Sequence, residues 1–130
     1  MHWLVDGMNV IGSRPDGWWR DRPGAQRRLV RELSGLVERP GADEVTVTVV
    51  FDGRPPAGPP AHDDGAVRVV YAPGGPDAAD DVIAEMAASV RDRSAAVVVT
   101  SDAGLARRVR RTGVAVVGVR AFRAALGPPE

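Results

Sequence analysis

Five runs of apolar, largely β-branched residues recur along this chain, and helix-type or turn-rich segments separate them. Residues 2–5, 45–51, 67–71, 95–100 and 114–119 each read as a strand, with Val-Thr-Val-Thr-Val-Val-Phe at 45–51 the clearest. Strands this uniformly apolar are buried on both faces, which requires helices above and below them. The pattern therefore predicts an α/β fold of three layers, with a mostly parallel central sheet of about five strands.

The segments between the strands agree. Pro23 opens a helix whose Leu29, Leu33, Leu36 and Val37 share one face, and Arg39-Pro40-Gly41 ends it. A second helix runs from about Asp77 to Asp92, with Val82, Ile83, Met86 and Val90 on its buried face. A short arginine-rich helix reaches Thr112 and stops at Gly113, and a last one covers 120–126. Residues 53–66, with Pro55, Pro56, Pro59 and Pro60, cannot be helical. With 130 residues and no internal repeat, one domain over 1–126 and a short tail at 127–130 are expected.

Composition removes several chemistries. There is no cysteine, so no disulfide, thiolate zinc site or cysteine nucleophile exists. All 17 basic residues are arginine, which excludes a P-loop lysine and a Schiff base. His2 and His62 lack the spacing of a zinc helix. No leader and no membrane-length apolar run is visible, so a cytoplasmic protein without membrane contact is expected.

The 17 acidic residues balance the arginines overall but not locally. Arginines crowd residues 14–31 and 103–123, while acids crowd 77–102. An acidic centre with basic flanks suits a metal-using site for an anionic polymer, and it also describes ordinary solvated helix faces.

The strand ends narrow the choice. Parallel sheets place ligands beyond the carboxyl ends of their strands. Asp6, Asp52 and Asp102 stand at three such ends. Asp6 begins Asp-Gly-Met-Asn, where Asn9 could orient it, although Asp-Gly alone makes a turn. Asp102 can be an N-cap as well as a ligand. Of Asp77, Asp80 and Asp81 at the second helix's start, the helical wheel puts Asp80 on the flank shared with Ile83 and Ala87. Asp80 is thus the preferred ligand, Asp81 the second, and Asp52 peripheral. Carboxylates gathered without sulfur or imidazole favour Mg²⁺ or Mn²⁺ over zinc. Such ions activate water, and the matching substrate is a phosphodiester.

The ordered set Trp3-Leu-Val-Asp-Gly-Met-Asn-Val-Ile11, Val49-Val-Phe-Asp-Gly53, Val69-Val-Tyr71, Ala79-Asp-Asp-Val-Ile-Ala-Glu85 and Val99-Thr-Ser-Asp102 resembles the YacP-type NYN domains, relatives of the PIN-domain nucleases. The resemblance spans residues 2–119 and implies a PIN-like fold with metal-dependent endoribonuclease activity. It puts the family's acids on Asp6, Asp80, Asp81 and Asp102, and its neighbouring polar residue on Asn9. Met8 departs from the pattern, standing where an aromatic is often found.

For single-stranded RNA, Trp18 and Trp19 could stack on bases while Arg14, Arg20 and Arg22 hold phosphates. Alternatively, one of the two tryptophans covers the edge of the core. Arg107, Arg108, Arg110 and Arg111 face away from Leu105 and Val109, where they could track RNA or merely solvate their helix. Two other functions fit the same sequence: a catalytically inactive binding module for RNA or protein, and a metal-dependent phosphohydrolase for small substrates.

Overall fold

The computed structural model describes residues 1–39, 44–58 and 60–127. Its centre is a sheet of five strands: β1 (His2–Asp6), β2 (Thr46–Asp52), β3 (Val67–Ala72), β4 (Ala96–Val99) and β5 (Ala115–Val117). They lie in the order β3-β2-β1-β4-β5, and every neighbouring pair is parallel. Helices α1 (Gly7–Gly12), α2 (Arg22–Val37), α3 (Ala78–Ala88), α4 (Ala103–Arg111) and α5 (Val119–Leu126) complete the chain.

Side chains alternate across a strand, so each strand feeds two cores. On one face Val5, Val47, Val49, Phe51 and Val99 pack under α1, α2 and α5, through Val10, Ile11, Leu29, Leu33 and Phe122. On the other, Leu4, Val50 and Val98 meet Ala79, Ile83 and Ala87 of α3 and Leu105 and Val109 of α4. The expected three-layer α/β fold with a five-stranded parallel sheet is the one observed. His2, on β1, is tied by its two ring nitrogens to the hydroxyls of Thr46 and Thr48 on β2.

Three local features differ from the sequence expectation. The Asp-Gly-Met-Asn segment is no open turn; it enters α1 directly, and Val10 and Ile11 of that short helix are fully buried. Six residues are too few for a periodic signal. Helix α3 stops at Ala88 instead of Asp92, because the Arg93 guanidinium donates to the carbonyls of Ala87 and Ala88 and caps the helix from outside. Its buried stripe is Ala79, Ile83, Ala84 and Ala87, with Val82, Met86 and Val90 only partly covered. The small alanines allow α3 to lie close on the sheet, and they rotate its buried face toward Asp80. Helix α2 ends at Val37; Pro40 and Gly41 of the expected stop signal lie outside the described residues, as do Pro59 and 128–130 of the tail.

Gly7 is a glycine for a packing reason. A Cβ there would stand 2.5 Å from the Phe51 ring and 3.0 Å from a Val49 methyl, both in the core. Gly7→Ala is expected to destabilise the fold by about 1–3 kcal/mol, read as a lower urea midpoint at unchanged slope. A variant as stable as the parent would show that Phe51 yields freely.

The strand order also locates a crevice. The chain moves outward from β1 through β2 to β3 and then returns to β4 on the opposite side of β1. Connections therefore leave the carboxyl ends of β1 and β4 in opposite directions, opening the sheet edge at that point.

Candidate active site

Asp6 and Thr100 sit on either side of this crevice. Val5 pairs with Val99, so the next residues, Asp6 and Thr100, leave their strands level with each other. The Thr100 hydroxyl donates to Asp6 Oδ2 at 2.8 Å, and both side chains are buried. That hydroxyl also accepts the Asp102 backbone N–H at 3.1 Å. The same few atoms thus fix Asp6 and the start of α4.

Asp102 caps α4, accepting the Leu105 N–H on Oδ1 at 2.8 Å, and its side chain remains exposed. Being a cap does not remove it from the site. Asn9, one turn into α1, accepts the Ser101 backbone N–H on Oδ1 at 2.8 Å. Asn9 therefore locks the β4–α4 turn to α1, as an orienting residue would.

Asp52 and Asp80 close the other side. Asp52 Oδ1 accepts the Ala79 N–H at 3.3 Å, so it caps α3 from the neighbouring strand. Asp77, the residue just before the helix, makes no side-chain cap bond. With α3's buried stripe centred on Ala79, Ile83, Ala84 and Ala87, a wheel at about 100° per residue puts Asp80 roughly 35° from its middle. Asp80 is accordingly half-buried. Asp81 lies on the outer side, exposed and paired with Arg108 at 2.9 Å.

Burial and neighbouring carboxylates perturb two of these acids. Burial pushes the Asp6 carboxyl up from 3.8 to about 6; the Thr100 hydrogen bond opposes this, and the charges of Asp80 and Asp52 add to it. Asp80 is raised as well, first by burial and then by Asp102, Asp52 and Asp77, with Arg108 pulling the other way. Four acids from four chain segments thus repel one another at the switch point. Among the described residues no three of them converge closely enough to enclose an ion.

The expected RNA-contacting residues fall in different places. Arg14 is buried and forms a two-pronged pair with Glu32, at 2.9 and 2.6 Å, so it is not free to hold a phosphate. Trp18 packs partly against the core, whereas Trp19 is 59% exposed. The two rings meet edge to face, with Arg20 over Trp19 and Arg22 over Trp18. Arg107, Arg108 and Arg111 ride on α4, which starts at Asp102 and runs away from the crevice. By helix rise Arg111 stands roughly 13 Å along the axis from the cap.

Two groups of arginines lie nearer. Arg22 and Arg54 line a groove of about 310 Å³ that includes Asp52. Arg120 and Arg123 line another, of about 430 Å³, that includes Asn9 and Ser101. Arg120 and Arg123 belong to the arginine-rich stretch 103–123 without having been singled out as contacts, and Arg54 lies outside both arginine-rich stretches. Position was the available signal: Arg54 follows Asp52 at the end of β2, and Arg120 lies in the first turn of the helix after β5.

Comparison with known proteins supplies the lineage. The family model of the YacP-like NYN domain matches residues 3–128. The chain belongs to that family. Two UPF0178 proteins, from Xanthomonas oryzae pv. oryzae (strain PXO99A) and Xanthomonas campestris pv. campestris (strain 8004), are each 50% identical over 54 residues, which is 42% of this chain. The matched stretch spans about 30% of the length of these curated relatives. A crystal structure of a point mutant of Rae1 (YacP) from Bacillus subtilis superposes with a TM-score of 0.73 at 24% identity, covering 96% of this chain and 74% of that one. A second Rae1 (YacP) crystal structure from the same organism gives 0.68 at 21%, covering 96% and 73%. At such identities the likeness establishes the fold. Among the described residues no helix is long and apolar enough to cross a membrane.

Proposed function

We propose that this chain is a metal-dependent endoribonuclease that hydrolyses phosphodiester bonds of single-stranded RNA at the Asp6 cluster. The observation that carries the reading is the gathering of Asp6, Asp52, Asp80 and Asp102 at the topological switch point, where Asp6 and Asp80 hold their protons more tightly than isolated acids do. Packing alone gives no reason to bury Asp6 beside other carboxylates. A cation would relieve them.

The donor set fits Mg²⁺ or Mn²⁺. Both are oxygen-seeking, and Mg²⁺ in particular keeps several waters while taking one or two carboxylates plus substrate phosphate, so three converging protein ligands are unnecessary. Asp6, Asp80 and Asp102 are the carboxylates that would serve it, one or two directly and the rest through its waters, with Asp52 beside them and Asp81 at the margin. When bound, the ion supplies charge neutralisation at the scissile phosphate and lowers the proton affinity of a nearby water. The protein's own part is positional. Thr100 fixes Asp6, Asn9 holds the turn that carries Asp102, and Asp52 holds the start of α3 on which Asp80 rides.

The direct test is cleavage of an end-labelled single-stranded RNA with Mn²⁺ or Mg²⁺. The expected result is internal cutting that stops with EDTA. RNA bound without cutting would replace the enzyme by a binding module, and turnover of small phosphate esters alone would make it a phosphohydrolase. A readout independent of turnover accompanies this. Millimolar Mn²⁺ is expected to raise the thermal midpoint of the parent and not that of Asp6→Asn, because a ligand for the native state stabilises it. Equal shifts in both proteins would remove Asp6 from the metal site.

A further inference from the structure

We propose that the groove lined by Asn9, Ser101, Arg120 and Arg123 is a phosphate subsite, holding the nucleotide next to the scissile bond. The proposal rests on the ribonuclease reading and assigns part of its substrate track. Three observations support it.

The first is continuity. Asn9 and Ser101 belong both to the carboxylate crevice and to this groove, and the bond between them joins the two. Thr100, which holds Asp6, immediately precedes Ser101. A chain leaving the Asp6 cluster on this side enters the groove without a gap.

The second is unspent charge. Two of the arginines expected to bind RNA are committed to carboxylates: Arg14 to Glu32 and Arg108 to Asp81. Arg28 likewise pairs with Asp16. Among the described residues neither Arg120 nor Arg123 has a carboxylate partner. Arg123 donates to the Ser13 carbonyl at 3.0 Å and the Ser13 hydroxyl at 3.3 Å, neutral acceptors that orient the guanidinium and leave its charge intact. Arg120 is exposed on the first turn of α5.

The third is the groove's character. At about 430 Å³ it falls within the size range of small-ligand sites, and Met8 and Val119 give it an apolar wall beside the polar groups. An arginine pair next to an apolar wall suits a nucleotide, with its anionic linkage and flat base. It also meets a physical need. Four carboxylates repel an approaching polyanion, so cations must flank them to hold the strand.

The test uses Arg120→Ala in an Asp6→Asn background, so that binding is read without cutting. The probe is a fluorescent single-stranded oligouridylate, followed by anisotropy across a range of salt. Loss of one phosphate contact is expected to weaken binding about threefold to tenfold at moderate salt, and to reduce the log–log salt slope by about 0.7. Arg123→Ala should shift both quantities the same way, and Arg120→Lys should restore the slope. Arg68→Ala, on the exposed side of β3, serves as the control and should change neither. If Arg120→Ala and Arg123→Ala both match that control, the subsite is wrong even if the parent cuts RNA. An Arg120-dependent slope with a parent that never cuts would retain the subsite and remove the ribonuclease. No binding of the oligouridylate at all would end both.

Discussion

Asp6→Asn is expected to abolish RNA cleavage and to make the protein more stable than its parent at pH 8. The two effects have one cause. Asp6 is buried beside other acids, and its carboxyl is pushed up to about 6 from an ordinary 3.8. Between those values the folded state binds a proton that the unfolded chain has released, so stability falls as pH rises through about 6. The gap corresponds to roughly 3 kcal/mol of folding free energy, fully present as a cost once both states are ionised. Asparagine keeps the shape and the acceptor for Thr100 while removing the charge. Urea unfolding without metal should therefore show the variant about 2 kcal/mol more stable at pH 8 and near parity at pH 4. Cleavage should drop at least about a hundredfold, since a ligand of the ion that neutralises transition-state charge is lost. A variant no more stable than the parent at pH 8 would mean that Asp6 carries no electrostatic strain. A variant that still cuts would take Asp6 out of the reaction.

Part of this arrangement was legible in the sequence. A turn after a strand needs no buried acid, yet three strands here run into aspartate, and β-sheet geometry alone carries their carboxyl ends to one edge. The helical wheel separated Asp80 from Asp81 because helix periodicity is fixed by the backbone. The wheel mistook the buried stripe, however, because it weighted large side chains, and α3 packs on alanines. Helix α1 stayed hidden for want of length, and the cap on α3 because it comes from Asp52, on another strand. Charge clusters misled most. A run of arginines says nothing about which of them are neutralised by partners far along the chain, and Arg14 and Glu32 are 18 residues apart.

That pair supports the second large effect. Replacing either member alone, by Glu32→Ala or Arg14→Met, is expected to cost about 3–5 kcal/mol, because each leaves the other's charge buried without a partner. The Arg14 and Glu32 side chains are only 8% and 7% exposed, and the two-pronged contact ties the loop after α1 to the middle of α2. Removing both members together with apolar replacements, Arg14→Met with Glu32→Leu, should cost much less than the sum of the single changes. The experiment also decides what Arg14 is for. If it braces the fold, the folded fraction of Arg14→Met binds single-stranded RNA as tightly as the parent, and the double-mutant cycle shows a large coupling. If Arg14 contacts RNA instead, its replacement weakens binding and flattens the salt slope while leaving the urea midpoint near the parent's. The buried, fully paired guanidinium favours the first result. On the proposed function, the positive charge offered to RNA would then come from arginines without carboxylate partners, at the two grooves flanking the carboxylates.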